Sequence, residues 1–227
     1  MNEEKSFLVT TPLEDSFCQD YKGKIVYLGN KNLDLLKKLN ISSKGITKIN
    51  SRWHNKNNLI EDHHYLEDLE ERFFNSFFKS MNITLGVSHS KKYWDIFVRR
   101  NVYGTICFLF EKWQTINYVF NNFEISETHI LNVKNFVLPY KDDRELVRNI
   151  FDSDLFNHVI YSDVIRAIRK VKYNEIEIDN LAYTKNKIYF KKRNNFNFHI
   201  FRKINIKSLK ILFNIIQKYL VDLWYQI

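Results

Sequence analysis

The sequence predicts an α/β protein, and three apolar segments are the main observation behind that prediction. Ser6–Thr11 and Lys24–Leu28 are short, apolar and closed by turn signals, which is typical of buried strands. Gly45–Ile49 is a third segment of this kind. Between the second and the third, Asn32 is placed to cap a short helix that ends near Leu39. Strands that alternate with helical stretches favour a Rossmann-like α/β layer over a helical bundle.

The middle of the chain is predicted to be strongly helical, so the α/β layer carries long helical insertions. Apolar residues recur at near-helical spacing over Leu59–Met81, and Gly86 ends that pattern. Ser90 is placed to cap a second long helix over Lys91–Asn121. Later elements are expected as a short strand over Ile125–Val133 and helices over Asp142–Phe151 and Leu155–Lys170.

The last quarter of the chain differs from the rest in composition. Residues 1–172 are predicted to form the α/β domain, and residues 173–227 a smaller basic unit. Within that unit, alternating runs over Ile176–Phe190 indicate a hairpin, and Lys207–Ile227 indicates an amphipathic helix. The apolar face of this helix suits docking to a partner subunit or peripheral contact with an anionic membrane.

Charge and cysteine content narrow the classes of function. The net charge of +9 favours an anionic partner, such as a phosphorylated substrate, an anionic lipid or nucleic acid. Cys18 and Cys107 are far apart, so neither a disulfide framework nor a zinc site is predicted from cysteines. The polar N-terminus and the lack of any uncharged apolar stretch of about 18 residues predict a cytoplasmic protein.

The turn after the first predicted strand is the first candidate site. Thr10 and Thr11 end the strand, Pro12 stops its pairing, and Glu14 follows. Ligands of open α/β sheets bind beyond the carboxyl ends of strands, where two hydroxyls and a carboxylate can grip a sugar or phosphate. The same residues also serve simply to complete a loop and cap a helix. No Gly-rich phosphate loop occurs, and no cofactor is predicted.

The segment from Gly86 to Ser90 is the second candidate site. His89 precedes a long predicted helix, and a neutral imidazole at a helix N-terminus can act as a general base or bind an anion. Ser90 is the expected cap of that helix. The plainer interpretation is that both residues only begin the helix.

Two further patterns do not predict a binding site. His63 and His64 are adjacent, so they lack the i, i+4 spacing of a helical metal site, and no metal is predicted. Basic and aromatic residues alternate over Lys187–Lys207, a pattern that nucleic-acid-binding surfaces share with solvated faces. No nucleic-acid signature accompanies the pattern, so nucleic acid is not the expected partner.

A series of short motifs follows in a fixed order along the chain. They are Phe7–Glu14, Ile25–Gly29, Trp53 with Asp62–Leu66, Gly86–Trp94, Phe110–Trp113, Ile125–Thr128 and Phe156–Ser162. In content and order they resemble a bacterial family of glycosyltransferase-like transferases in surface-carbohydrate biosynthesis. Gly86–Trp94 is the most specific match, and the resemblance covers about residues 7–170.

The resemblance implies a two-domain enzyme that transfers a group from an activated sugar donor to a carbohydrate acceptor. It implies that this chain is the acceptor-side, N-terminal part, and that a second domain holds the donor. His89 would be the base that deprotonates the acceptor hydroxyl, with Glu14 as a second catalytic residue. The implied substrate-binding residues are Thr10, Thr11, Ser90, Lys92 and Trp94.

Two departures from the family pattern open an alternative. Asn30 and Lys31 stand where the family tends to have an acidic residue and a tryptophan. Arg99–Asn101 stands where the family often has a Gly-Pro-Trp type of segment. Both departures lie beside candidate sites. They keep open a non-catalytic binding or scaffold protein derived from the acceptor-side half of such an enzyme.

Overall fold

Five parallel strands form the central sheet in the described part of the chain. The computed structural model describes residues 5–18, 20–29, 45–134, 153–168 and 171–179. In the order β3-β2-β1-β4-β5, every neighbouring pair of strands is parallel. The strands are β1 (Ser6–Val9), β2 (Lys24–Leu28), β3 (Ile46–Ile49), β4 (Ile125–Lys134) and β5 (Lys172–Asp179).

Three α-helices are described around this sheet. They are α1 (Lys56–Leu85), α2 (Lys91–Asn122) and α3 (Asp154–Ile168). Short 3-10 turns cover Glu14–Ser16 after β1 and Arg52–His54 before α1. Among these described helices, none is both long and apolar enough to cross a membrane.

The strand order creates a topological switch point beside β1. The chain moves outward from β1 to β2 and β3, and then returns to place β4 on the other side of β1. In open parallel sheets the crevice at such a point, beyond the carboxyl ends of the strands, is where ligands bind. The predicted Rossmann-like α/β arrangement is therefore confirmed for the sheet. The switch point places the candidate site at the carboxyl ends of β1 and β4.

Both faces of the sheet centre are covered, which explains why β1 and β2 read as continuous apolar runs. On one face, Leu8 and Val26 pack with Ile116 of α2 and Ile165 of α3. On the other face, Phe7 belongs to a second cluster that also contains Val9, Phe17, Ile25 and Tyr27. A parallel strand buried on both faces has no need of polar alternation.

The helices α1 and α2 form a long antiparallel hairpin inserted between β3 and β4. Its core includes Leu69, Phe73 and Phe77 of α1 and Val102 and Ile106 of α2. At the end of the hairpin next to the sheet, the same cluster also includes Phe108 of α2 and Phe156 and Ile160 of α3. Within the described residues, the hairpin therefore packs against the sheet layer at the end that contains Phe108.

The junction of the hairpin is built by residues with local conformational preferences. Gly86 ends α1 with φ of 64°, in the left-handed region that side-chain-bearing residues avoid. Ser90 begins α2 by accepting a hydrogen bond from the backbone N–H of Tyr93. Both boundaries agree with the sequence prediction, because each depends on the identity of a single capping residue.

Most predicted elements in the described part of the chain are confirmed, with shifted ends. The helix with the apolar pattern over Leu59–Met81 covers Lys56–Leu85, and the strand expected over Ile125–Val133 continues to Lys134. Lys172–Asp179 extends the sheet, so the predicted boundary at residue 172 falls at the start of β5. The helices expected over Asn32–Leu39, Asp142–Phe151 and Lys207–Ile227, and residues 180–190 of the expected hairpin, lie outside the described residues.

Substitutions at two glycines should change the stability of the protein in opposite directions, which tests the hairpin geometry. Gly86→Ala should destabilise the protein by about 1 kcal/mol, because Ala is strained at positive φ. Gly104 lies inside α2, and a Cβ there would meet nothing within 4 Å. Gly104→Ala should therefore stabilise the protein by about 0.5–1 kcal/mol. Urea unfolding followed by circular dichroism measures both; shifts of the same sign would contradict the junction described.

Candidate functional site

The end of β1 is tied to β4 and α3 by one imidazole ring. Nδ1 of His158, on α3, lies 2.8 Å from Oγ1 of Thr10 and 3.3 Å from Oγ1 of Thr11. Nε2 of the same ring lies 2.9 Å from the backbone N of Leu131, on β4. All four residues are buried. His158 therefore spans the switch point and fixes the positions of both threonine hydroxyls.

The hydrogen bonds determine the tautomer of this ring. The backbone N–H of Leu131 can only donate, so Nε2 of His158 accepts. In the neutral ring the proton then sits on Nδ1 and is donated to Thr10 Oγ1. Burial lowers the pKa of His158 from 6.5 to about 3, and the charges of Arg166 and His129 act in the same direction. His158 is thus a neutral donor at physiological pH.

The turn that follows the threonines is held in one shape. Ser16 Oγ lies 2.6 Å from the carbonyl oxygens of both Thr11 and Leu13, so its single proton is shared between them. His129 of β4 places Nδ1 3.3 Å from the carbonyl oxygen of Asp15. The turn is thereby attached to both strands of the switch point. An ordered turn can position a substrate without a large loss of entropy on binding.

Glu14 begins the 3-10 turn immediately after this anchored segment. Its side chain is exposed, whereas Thr10 and Thr11 are buried. The structure thus places a solvent-facing carboxylate and two fixed hydroxyls in one loop at the carboxyl edge of the sheet. A carboxylate can accept a proton and threonine hydroxyls can donate hydrogen bonds, so the loop has the groups needed to bind and activate an alcohol.

A third hydroxyl lies at the same edge, at the end of β2. Tyr27 is buried, and its hydroxyl has no hydrogen-bond partner among the described residues. Burial raises its pKa to about 12, and the charge of Asp154 at the start of α3 adds to the shift. The hydroxyl occupies space beside Gly29, where a Cβ would come within 2.7 Å of it. Gly29 of the second motif therefore accommodates the Tyr27 ring.

An ion pair on α2 faces α3 one turn beyond His158. Nζ of Lys112 lies 3.0 Å from Oε2 of Glu111 and 4.8 Å from the ring centroid of Tyr161. Burial raises the pKa of Tyr161 well above its ordinary value, and the Glu111 carboxylate adds to the effect. The motifs Phe110–Trp113 and Phe156–Ser162, which are distant in sequence, thus meet between α2 and α3.

The most specific motif, Gly86–Trp94, builds the junction of the hairpin. Asn82 bonds the backbone of His89 twice, with Nδ2 2.8 Å from its carbonyl oxygen and Oδ1 3.1 Å from its nitrogen. The indole Nε1 of Trp94 donates to the same Oδ1 at 2.8 Å. Trp94 is buried, while Lys92 is exposed. Much of the motif is explained by these local bonds.

His89 itself lies far from the threonines. Its exposed ring stacks on Tyr93 with centroids 3.9 Å apart. Phe108 of α2 contacts Phe156, two residues before His158, with ring centroids 5.9 Å apart. His89 precedes Phe108 by 19 residues, which is about 28 Å along a helix axis. The structure brings together Thr10, Thr11 and Glu14 in the loop after β1. It places the other predicted site residues at the junction of α1 and α2; these are His89, Ser90, Lys92 and Trp94.

The Trp53 and Asp62 motif joins the 3-10 turn to α1. Buried Asp62 accepts from Nε1 of Trp53 at 2.9 Å and from Nε of Arg52 at 3.0 Å. Its neighbour His63 bonds the hydroxyl of Tyr103 at 2.9 Å. In the described part of the chain, no three His, Cys, Asp or Glu side chains are grouped so as to hold a metal ion.

Sequence reasoning missed the residue that organises the switch point. His158 was visible only as a member of the motif Phe156–Ser162, without a role of its own. A lone histidine on a helix gives no local signal, since its partners Thr10 and Leu131 are respectively 148 and 27 residues away. Only the pairing of β1 with β4 brings these atoms together.

The described residues thus form an α/β protein with a parallel sheet, whose switch point carries hydroxyl, carboxylate and imidazole groups. A family model described as LIC12162 family transferase matches residues 6–226, and the chain belongs to this family. The match extends beyond residue 170, where the resemblance of the motifs ends. Comparisons with curated proteins and with solved structures gave no match.

The neutral state of His158 predicts a specific loss of stability in acid. Between pH 6.5 and about 3 the unfolded chain binds a proton at His158 that the folded ring does not. Stability therefore falls as pH decreases through this window, with this residue contributing up to about 1.4 kcal/mol per pH unit. The slope of unfolding free energy against pH, from denaturant titrations, should be smaller in His158→Asn by about that amount.

An exposed histidine supplies the matched control for that measurement. The control variant is His64→Asn, because the His64 ring is largely exposed on α1. Equal slopes for the wild type and His158→Asn would mean that the buried ring titrates normally in the folded state.

Proposed function

We propose that the protein transfers a glycosyl group from an activated sugar to a carbohydrate acceptor, in the cytoplasm, during synthesis of a surface polysaccharide. Membership of a transferase family supports group-transfer chemistry. The observation that carries the proposal is the pair of threonine hydroxyls held by neutral His158, in the same loop as the exposed carboxylate of Glu14. This is an arrangement suited to an acceptor alcohol.

The threonines are proposed to bind the acceptor through their own hydrogens. Nδ1–H of His158 occupies a lone pair of Thr10 Oγ1, so the hydroxyl hydrogen of Thr10 is directed toward a different acceptor atom. In the proposed complex that atom is an oxygen of the sugar. Because the ring stays neutral across the physiological range, this orientation does not change with pH.

Glu14 is proposed as the base. Its carboxylate takes the proton of the acceptor hydroxyl as the oxygen attacks the anomeric carbon of the donor. The bond from that carbon to the donor phosphate breaks, and the electron pair leaves with the phosphate. The resemblance to two-domain transferases assigns the donor to a second domain or partner subunit, so the described residues supply only the acceptor side.

His89 remains the rival base that the sequence predicts. Acting there, it would need an acceptor bound at the junction of α1 and α2, about 28 Å from the level of Phe156. One hydroxyl cannot approach both residues in this structure, because a base must come within about 3 Å of the proton donor. Glu14 and His89 are therefore alternatives that an experiment can separate.

Replacing each base candidate in turn tests the proposal. The assay measures transfer of labelled sugar from a panel of nucleotide-activated donors to the acceptor fraction of source cells. Glu14→Gln should lower kcat by about 10²–10³-fold, because the amide cannot accept the proton. Asp20→Asn, another exposed carboxylate between β1 and β2, serves as the matched control and should leave kcat unchanged.

The same assay distinguishes the rivals. Full activity in Glu14→Gln together with a large loss in His89→Gln would place the chemistry at the hairpin junction and overturn the proposal. Binding of the acceptor without transfer from any donor, in the full-length native protein, would instead favour the non-catalytic binding alternative.

Thr10 offers a test of acceptor binding that is separate from proton transfer. Thr10→Val removes the hydroxyl while keeping the shape, and should raise the acceptor KM about tenfold with little change in kcat. Thr10→Ser keeps the hydroxyl and should restore the KM. If Thr10 acted only in folding, the Val variant would lose stability but keep its KM under conditions where it is fully folded.

A further inference from the structure

The junction of α1 and α2 exposes large apolar side chains that the proposed function does not use. We call residues 79–97 the hairpin tip. The exposed apolar residues of the tip are Ile83 (83%), Ile96 (72%), Phe97 (45%), Leu85 (40%) and Val87 (36%). Five such residues within fifteen positions form an apolar end on the longest projection of the described structure.

All five residues lie close to the end of the projection. Ile96 and Phe97 fall within the first two turns of α2, and Ile83 and Leu85 in the last turn of α1. Seven helical residues span about 10 Å, so the whole set lies within about 10 Å of the tip. This matches the depth of about 5–10 Å to which apolar groups enter the headgroup–acyl boundary of a bilayer.

Aromatic rings run along the first turns of α2. The ring centroids of His89 and Tyr93 are 3.9 Å apart, and those of Tyr93 and Phe97 are 4.6 Å apart. Tyr93 also meets the edge of Trp94 with centroids 5.3 Å apart. Aromatic residues that combine an apolar ring with a polar atom, such as Tyr and Trp, are enriched at membrane interfaces.

Lysines outnumber acidic residues at the tip. Residues 79–97 contain three lysines and one acidic residue, Asp95. Lys79 and Lys92 are exposed, whereas Lys91 pairs with Glu71 farther from the tip. The first acidic residue of α2, Asp95, is engaged by Arg99 at 2.8 Å. An apolar end with cations beside it is complementary to a surface of anionic lipid.

The tip also stands away from the sheet. Phe108 is level with the start of α3, and α2 extends 17 residues beyond it toward the tip, which is about 25 Å. Because α3 begins after the carboxyl end of β4, the projection rises on the same side of the sheet as Thr10 and His158. A surface contacted by the tip would face the proposed acceptor site.

We propose that the hairpin tip is a membrane-binding surface that inserts its apolar side chains into an anionic bilayer and sets Lys79 and Lys92 against lipid phosphates. Binding through the tip orients the carboxyl edge of the sheet toward the membrane. The proposal does not depend on glycosyl transfer, because it concerns adsorption of the folded protein and not its chemistry.

Vesicle co-sedimentation of the full chain tests the proposal. Vesicles contain phosphatidylglycerol and phosphatidylcholine in equal parts, with pure phosphatidylcholine for comparison. The wild type should bind the anionic vesicles, and less so as salt is raised. Ile96→Glu and Phe97→Glu should each lower the partition constant about tenfold or more.

Two further variants keep the test specific to the tip. Ile60→Glu changes an apolar side chain of similar exposure (48%) at the other end of α1 and should bind as the wild type does. Ile96→Leu keeps an apolar side chain and should retain binding. Circular dichroism melting checks that each variant is folded. Equal binding by the wild type and both Glu variants, or no binding to anionic vesicles by the wild type, would overturn the proposal.

Discussion

The position of one buried imidazole determines how the candidate site is arranged. Nε2 of His158 accepts from the backbone of β4, so its proton must point toward the threonines after β1. A charged ring at this site would lose the hydrogen bond from Leu131 and would carry an unscreened charge in the core. The fold therefore needs a neutral histidine, whose Nδ1–H faces the two threonine hydroxyls and leaves their own hydrogens available to donate.

The described residues form two parts with different surfaces. At the switch point, His158, Ser16 and His129 hold a short polar turn against two strands. In the hairpin, an apolar core supports a projection whose far end presents apolar side chains to solvent. The proposed acceptor site lies in the first part and the proposed membrane-binding tip in the second, on the same side of the sheet.

Local signals explain what could be predicted from the sequence. Gly86 and Ser90 mark helix ends because a positive φ and an N-cap are properties of single residues. The apolar runs of β1 and β2 were sufficient to indicate a buried sheet. The role of His158 could not be predicted, since it depends on a parallel pairing between strands more than 100 residues apart. The motif around His89 attracted a catalytic interpretation, although its backbone bonds to Asn82 already give the motif a structural role.

The central claim is that His158 is neutral and donates from Nδ1 to the threonines. The most direct measurement is the ¹H–¹⁵N correlation spectrum of the histidine rings, followed from neutral pH to about pH 4.5, where an ordinary histidine is protonated. One ring is expected to keep its Nδ1–H tautomer without titrating, and its signal should be lost in His158→Asn. A His158 ring that titrates near 6.5, or that carries its proton on Nε2, would contradict the account.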